Sequence, residues 1–328
     1  RRRSRGERLG ALAGVPLGIK DNICVDGWPT TCGSRLLEGW TAPYDATAVR
    51  RLREADAIPV AKTSCDEFGM GSSNERCAFG PARHPRDPGR VPGGSSGGSA
   101  VVVADRQLPA ALGSDTGGSV RQPAALCGVV GTKPTYGRVS RYGLVAYASS
   151  LDQVGPITRD AEDAALLLRI MGGPDYRDAT SLDDPWPEAD AARDAAGGSL
   201  RVGVLKEFLE SDELHPAAAA AVDEASRALR EAGHRVAPAS LPEARGALAV
   251  YYVLAACEAS SNLARFDGVR YGRRAQASDG LRAMTSATRG QGFGPEVKRR
   301  VLLGTFALSA GYKDAFYIRA LAGRERLA

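Results

Sequence analysis

Hydrophobic and polar positions along the chain change period several times, and each change marks out an element. Residues Val15 to Lys20 run apolar after an early proline, which predicts a short strand delivering Lys20 to its end. Between Tyr44 and Ala57 the residues Ala48, Val49, Leu52 and Ala55 recur at helical spacing, with Asp45 placed to cap the first turn. Ile58 to Lys62 then reads as a strand. The order strand, helix, strand predicts an α/β sheet.

From Pro85 to Gly98 the composition shifts to proline, glycine, arginine and serine, a loop signal. Ser99 to Ala104 opens a helix, Leu108 to Leu112 is a buried strand ending at a Gly113-Ser114-Asp115 turn, and Ser119-Val120-Arg121 starts another helix. Open α/β sheets place ligands at such strand ends and helix beginnings. Residues 173–199 hold seven Asp or Glu against two arginines and read as an acidic surface connection. Leu200 to Leu205 alternates like a strand. Pro216 to Glu231 is a helix with Val222, Ala225 and Leu229 on one face and Gly233 as its stop. Tyr251 to Phe266, Glu296 to Leu308 and Tyr312 to Leu327 read as helical, and no internal repeat occurs.

The chain has 328 residues, 43% of them hydrophobic and 25% charged, the balance of a soluble globular protein. Its longest apolar runs, such as Ala217 to Val222, are too short to span a bilayer. Five arginines and one glutamate crowd Arg1 to Leu9, which reads as a solvated end and leaves the rest of the formal +5 chain nearly neutral. A dedicated nucleic-acid face is therefore not implied. Six cysteines are too sparse for a disulfide scaffold in so long a chain, which predicts reduced, mostly buried thiols in a cytoplasmic protein. None forms a C-x-x-C pair or stands at ligand spacing from a histidine, so no metal site is expected. The chain starts on arginine with no signal-peptide pattern after it, and is expected to be an internal piece of a longer protein.

Candidate chemistry concentrates in two glycine-serine blocks, Gly93 to Ser99 and Gly113 to Ser119. A serine hydroxyl needs a group to take its proton, usually a histidine. His84, His215 and His234 are flanked by a proline-rich loop, a helix start and a helix stop, and are the weaker candidates. Lys20 is the stronger one. By itself a lysine at a strand end is ordinarily a surface residue, but the apolar Leu17-Gly18-Ile19 before it favours burial, which holds an amine neutral. Thr116-Gly117-Gly118 offers successive N–H groups that converge on a developing oxyanion beside Ser119, which makes Ser119 the expected nucleophile.

Other readings of these blocks are weaker. Gly94 to Gly98 satisfies the G-x-S-x-G elbow and would make Ser96 the nucleophile, but Arg90-Val91-Pro92-Gly93 before it is no strand. Asp115-Thr116-Gly117 spells an aspartic-protease motif without the second copy that such proteases need. No lysine follows either glycine cluster in the form a phosphate loop requires.

Three blocks together, Gly18 to Asn22, Gly93 to Ser99 and Gly113 to Pro123, resemble the amidase signature family, in family order. Lys20 and Ser95 lie 75 residues apart, Ser95 and Ser119 24 apart. The resemblance implies a mixed central sheet with helices on both faces in one domain over 1–328, and a Ser-Ser-Lys triad. In that triad Lys20 is the base, Ser95 a bridging serine after a cis peptide bond, and Ser119 the acyl-forming nucleophile. Asp66 to Ser72, Lys133 to Arg141, Ser149 to Gln153, Glu258 to Gly268 and Glu296 to Arg300 extend the match toward the A-subunit branch of glutamyl-tRNA(Gln)/aspartyl-tRNA(Asn) amidotransferases.

That branch implies glutamine hydrolysis, with ammonia passed to a B subunit that uses ATP and magnesium to amidate misacylated tRNA, and a small C subunit bracing the pair. No cofactor is implied for this chain itself, and tRNA is expected to be held mainly by the B subunit. Tyr251 and Arg300 match positions that contact glutamine in the family. Members start before Arg1 and continue past Ala328, so a truncated fold is expected, without the acid that meets the substrate ammonium. The alternatives are a stand-alone amidase on another small amide and an inactive interaction subunit.

Overall fold

A computed structural model describes residues 3–184, 198–211, 214–276 and 279–327. In chain order the first elements are β1 (Pro16–Lys20), α1 (Thr47–Glu54), β2 (Ile58–Thr63), α2 (Gly97–Ala104), β3 (Ala110–Asp115), α3 (Arg121–Cys127), β4 (Val130–Gly131), β5 (Gln153–Thr158) and α4 (Ala161–Met171). They are followed by β6 (Arg201–Leu205), α5 (Pro216–Glu231), β7 (Arg235–Ala239), α6 (Ala247–Asn262), α7 (Gly280–Gly292), α8 (Pro295–Ala307) and α9 (Arg319–Leu327). The chain divides into two compact units, one of Arg1–Pro185 with Ala255–Ala307, the other of Trp186–Leu254 with Leu308–Ala328.

The first unit is built on a five-stranded sheet in the order β2-β1-β3-β5-β4. β1 runs parallel to both β2 and β3, whereas β5 is antiparallel to β3 and to β4, so the sheet is mixed. Helices flank it: α1 packs on α4, α2 on α3, and each pair packs on the strands. Every residue of β3 and β5 is buried, as expected of central strands covered on both faces. Ala100, Val103, Ala111, Val120, Ala124, Cys127 and Ile157 form one apolar cluster between α2, α3 and the sheet. The parallel order brings the C-terminal ends of β1, β2 and β3, at Lys20, Thr63 and Asp115, to one side.

Several local expectations change. α1 begins at Thr47 with Ala46 as its cap, because the Asp45 carboxylate is taken by the Asp26 N–H (2.8 Å) and by Arg53 (2.8 Å). Gly113-Ser114-Asp115 is strand and not a turn, since Gly113 pairs with Gly155 and Asp115 with Gln153 across the ladder. The strand β5 and the helices α4 and α7 come in addition to the elements read from periodicity. Of the acidic connection, 185–197 lies outside the described residues, as do Arg1 and Arg2 of the arginine cluster. The described part turns two carboxylates inward: Asp178 pairs with Arg141 at 2.8 Å, and Asp175 accepts from Ser140 at 2.7 Å.

All six cysteines are unbridged, and five of them are buried. One run among the described residues, Pro242–Arg265, is long and apolar enough by length and composition to cross a membrane, contrary to the reading of the apolar stretches. Its last turns behave as a core helix: within the first unit Ala255, Ala256, Cys257, Ala259 and Leu263 are buried. The second unit pairs β6 with β7 in parallel, with α5 packed on β7.

Candidate active site

Lys20, at the end of β1, has no exposed surface, so its amine sits in a site closed to water. Its Nζ donates to Ser95 Oγ at 2.7 Å, to Ser114 Oγ at 2.9 Å and to the Ser114 carbonyl at 3.2 Å. Burial lowers the Lys20 pKa, opposed by the carboxyl groups of Asp66, Asp115 and Asp152 around it. A neutral amine keeps two N–H donors and gains a lone pair, so two of these contacts can stay as they are while the third reverses. The amine can then accept the Ser95 proton.

Two further features fix Ser95. The Gly94–Ser95 peptide bond is cis, and the Ser95 carbonyl accepts from the Asp66 N–H at 3.3 Å. A side chain at Gly94 would run into Asp66 Oδ2, so only glycine fits before the cis bond. The Gly94 N–H is held by Gln122 Oε1 at 2.9 Å.

Ser119 joins this pair through the backbone, since the Ser96 N–H donates to the Ser119 carbonyl at 3.1 Å. The loop around Ser119 is wrapped on Asp115. That carboxylate accepts from the N–H groups of Gly118 (2.7 Å), Val120 (3.0 Å) and Arg121 (3.3 Å), and from the Arg121 guanidinium at 3.0 and 2.9 Å. Burial alone would raise the Asp115 pKa, but Arg121 and the N–H donors outweigh it and hold the carboxyl below its usual range. Of the three expected oxyanion donors, Gly118 therefore turns its N–H inward to Asp115. Thr116 and Gly117 carry no such bond among the described residues.

Ser96 is buried and serves the frame: its Oγ donates to the Ser114 carbonyl at 3.2 Å and accepts from the Ser114 N–H at 3.3 Å. The histidines are engaged elsewhere. His84 Nε2 contacts the Leu126 carbonyl, His215 caps α5 through the Ala217 N–H, and His234 Nδ1 accepts from the Leu200 N–H. Ser114 and Asp115 emerge as positioning groups that motif reading does not single out, although both lie inside the Gly113 to Ser119 block.

Beside the loop, Thr116 Oγ1 donates to the buried Asp152 at 2.6 Å. Burial pushes the Asp152 carboxyl up to about 6, against its hydrogen bonds from Thr116 and the Tyr147 and Ala148 N–H groups. Arg300, on α8, is also buried: Nε donates to Glu296 at 2.7 Å and Nη1 to the Tyr147 hydroxyl at 2.6 Å. Tyr251 belongs to the second unit, where its ring meets Tyr252 edge-on at 5.3 Å.

The amidase family model matches residues 1–328. Over 311 residues, 94% of the chain, it is 56% identical to the A subunit of glutamyl-tRNA(Gln) amidotransferase from Akkermansia muciniphila, and covers 66% of that protein. The same protein from Symbiobacterium thermophilum is 56% identical over 98% of the chain, which spans 65% of it. The chain thus spans just under two thirds of these relatives. Among solved structures, the crystal structure of the Thermotoga maritima counterpart superposes with a TM-score of 0.78 at 46% identity, over 98% of this chain and 65% of that one. The native peptide amidase of Stenotrophomonas maltophilia gives a TM-score of 0.82 at 33% identity, over 99% and 67%.

Proposed function

The chain belongs to the amidase family, and from that premise we propose that it is the glutamine-hydrolysing part of a glutamyl-tRNA(Gln)/aspartyl-tRNA(Asn) amidotransferase. The observation that carries this reading is the 2.7 Å hydrogen bond from Lys20 Nζ to Ser95 Oγ in a site without solvent, with Ser119 tied alongside. The identity of 54–56% to the A-type relatives supports the choice of substrate and complex over a stand-alone amidase.

Neutral Lys20 takes the Ser95 proton while Ser95 Oγ takes that of Ser119. Ser119 Oγ then attacks the side-chain amide carbon of glutamine. The Thr116 and Gly117 N–H groups meet the oxyanion, a contribution of about 2.7–4 kcal/mol per donor to the barrier in comparable sites. Returning the proton through Ser95 to the amide nitrogen breaks the C–N bond and releases ammonia. Water cleaves the glutamyl ester by the reverse relay and restores Ser119. Arg300 meets the substrate carboxylate. Ammonia passes to a B subunit that consumes ATP with magnesium, a C subunit completes the heterotrimer, and the assembly works in the cytoplasm.

The test is glutaminase activity of the full-length protein copurified with its B and C partners. It is paired with mass-spectrometric mapping of the adduct formed by an electrophilic glutamine analogue. The adduct is expected on Ser119 and absent in Ser119→Ala. Full activity in Ser119→Ala would overturn the mechanism. A protein that turns over other small amides, ignores glutamine and binds no partner would overturn the assignment.

A further inference from the structure

One buried carboxylate joins the nucleophile loop to the segment that holds Arg300. Asp152 Oδ1 accepts from Thr116 Oγ1 at 2.6 Å, while Oδ2 accepts from the Tyr147 N–H at 2.8 Å and the Ala148 N–H at 3.0 Å. The other end of Tyr147 reaches Arg300: its hydroxyl accepts from Nη1 at 2.6 Å, and the guanidinium carbon lies 5.6 Å from the ring centroid. Arg300 is in turn held by Glu296. A continuous path of hydrogen-bonded groups therefore runs from Thr116, three residues before Ser119, through Asp152 and Tyr147 to Arg300.

We propose that Asp152 is a positioning residue for amide cleavage, fixing the spacing between the N–H donors of the Thr116 turn and the guanidinium of Arg300. This rests on the reading that Ser119 attacks a glutamine whose carboxylate meets Arg300. Asp152 touches no reacting atom. Its two oxygens divide the work, one toward the loop that stabilises the oxyanion and one toward the turn that carries Tyr147. The adjacent Gln153 pairs with Asp115 in the ladder, so Asp152 also inherits the strand frame that supports the triad. A purely structural prop for the 147–150 turn would need the Oδ2 bonds alone; the Thr116 bond and the Tyr147–Arg300 contact have no part in that role. Misplacing a bound substrate by about 1 Å costs on the order of 10²-fold in rate, so a loosened path shows in kinetics before it shows in folding.

The experiment uses the full-length protein in its complex, with glutamine as substrate, and compares Asp152→Asn, Thr116→Val, Thr116→Ser, Tyr147→Phe and the Asp152→Asn/Thr116→Val double variant. Expected are a kcat loss of about 10–100-fold in Asp152→Asn and in Thr116→Val, with the double variant no worse than either single. Thr116→Ser, which keeps the hydroxyl, is expected to stay within a few-fold of the parent. Tyr147→Phe is expected to raise KM more than it lowers kcat. Multiplicative losses in the double variant would overturn the proposal, as would parental kinetics in Thr116→Val. Should Asp152→Asn fail to fold, the Thr116 pair and Tyr147→Phe decide. Ser119→Ala runs in parallel: inactive Ser119→Ala with normal Asp152→Asn sinks only the positioning role, whereas active Ser119→Ala sinks the underlying reading.

Discussion

Lys20 Nζ and Ser95 Oγ, 75 residues apart in the chain, lie 2.7 Å apart with neither side chain open to water. Hydrogen bonds to Ser95 and Ser114 and the carboxyl groups around it favour an ammonium there, but burial prevails and lowers the pKa. Lys20→Ala should therefore lose about 10²–10⁴-fold in the rate of acylation by glutamine. Lys20→Arg should lose as much, because a guanidinium keeps the charge but cannot accept the Ser95 proton. The acylation rate of the parent should rise with pH along a limb centred below the ordinary lysine value of 10.5. Rapid-quench acylation across pH checks all three; a functional Lys20→Arg would refute the role of Lys20 as base.

Ser96 and Ser119 part company in the same assay. Ser96 is a buried frame residue whose hydroxyl bridges the Ser114 backbone, and deleting it removes hydrogen bonds worth about 0.5–1.5 kcal/mol each. Ser96→Ala should lower the unfolding midpoint and still form the covalent adduct, whereas Ser119→Ala should form none at unchanged stability. Intact-mass measurement after treatment with the glutamine analogue separates the two, and the reverse pattern would restore the elbow reading.

These residues also show where the sequence was legible. Lys20, Ser95 and Ser119 stand in three short blocks whose glycines and serines are spaced by backbone geometry, so motif and spacing carry them. Asp152 and the inward-facing Gly118 N–H depend on the β3–β5 pairing, and Gly155 with Pro156 in the middle of β5 breaks the alternation that announces a strand. Asp45 shows the same limit on a smaller scale. A residue with ideal cap chemistry was drawn off by Asp26 and Arg53, partners that only the folded chain brings near. The helix α7 escaped because Gly280, Gly290 and Gly292 with Thr285, Ser286 and Thr288 give it weak propensity, and it is held by packing.

Asp115 offers a test of the loop that reads both stability and chemistry. Its carboxylate is completely buried, while its partner Arg121 is half exposed. Asp115→Asn leaves the loop N–H groups of Gly118, Val120 and Arg121 competing for one oxygen, and should cost about 1–3 kcal/mol in urea unfolding together with most of the acylation rate. Arg121→Lys should cost less in stability, since the three N–H donors stay paired, but should raise the Asp115 pKa. A stable, fully active Asp115→Asn would mean that the wrapped loop does not hold Ser119.

The carboxylates predict opposite responses of stability to pH. Hydrogen bonds from Arg299 and Arg300 hold Glu296 at about 2 despite partial burial, and at Asp178 the Arg141 and Thr180 donors overcome burial to hold it at about 2. Both native values lie below the unfolded ones, so the unfolded chain takes up protons first as the pH falls. Their stabilisation is complete above about pH 5 and is lost toward pH 2, by about 2–3 kcal/mol for such a group. Asp152 works the other way: its native value of about 6 exceeds the ordinary 3.8, so the folded chain holds the extra proton and stability falls as pH rises between them. Urea unfolding of the full-length protein at pH 7, 5 and 3 should therefore show Asp178→Asn losing most at pH 7, nearly as much at pH 5 and only about half as much at pH 3. Asp152→Asn should lose less, relative to the parent, at pH 7 than at pH 5. Equal losses at all three values for Asp178→Asn would show that its native carboxyl titrates like that of the unfolded chain.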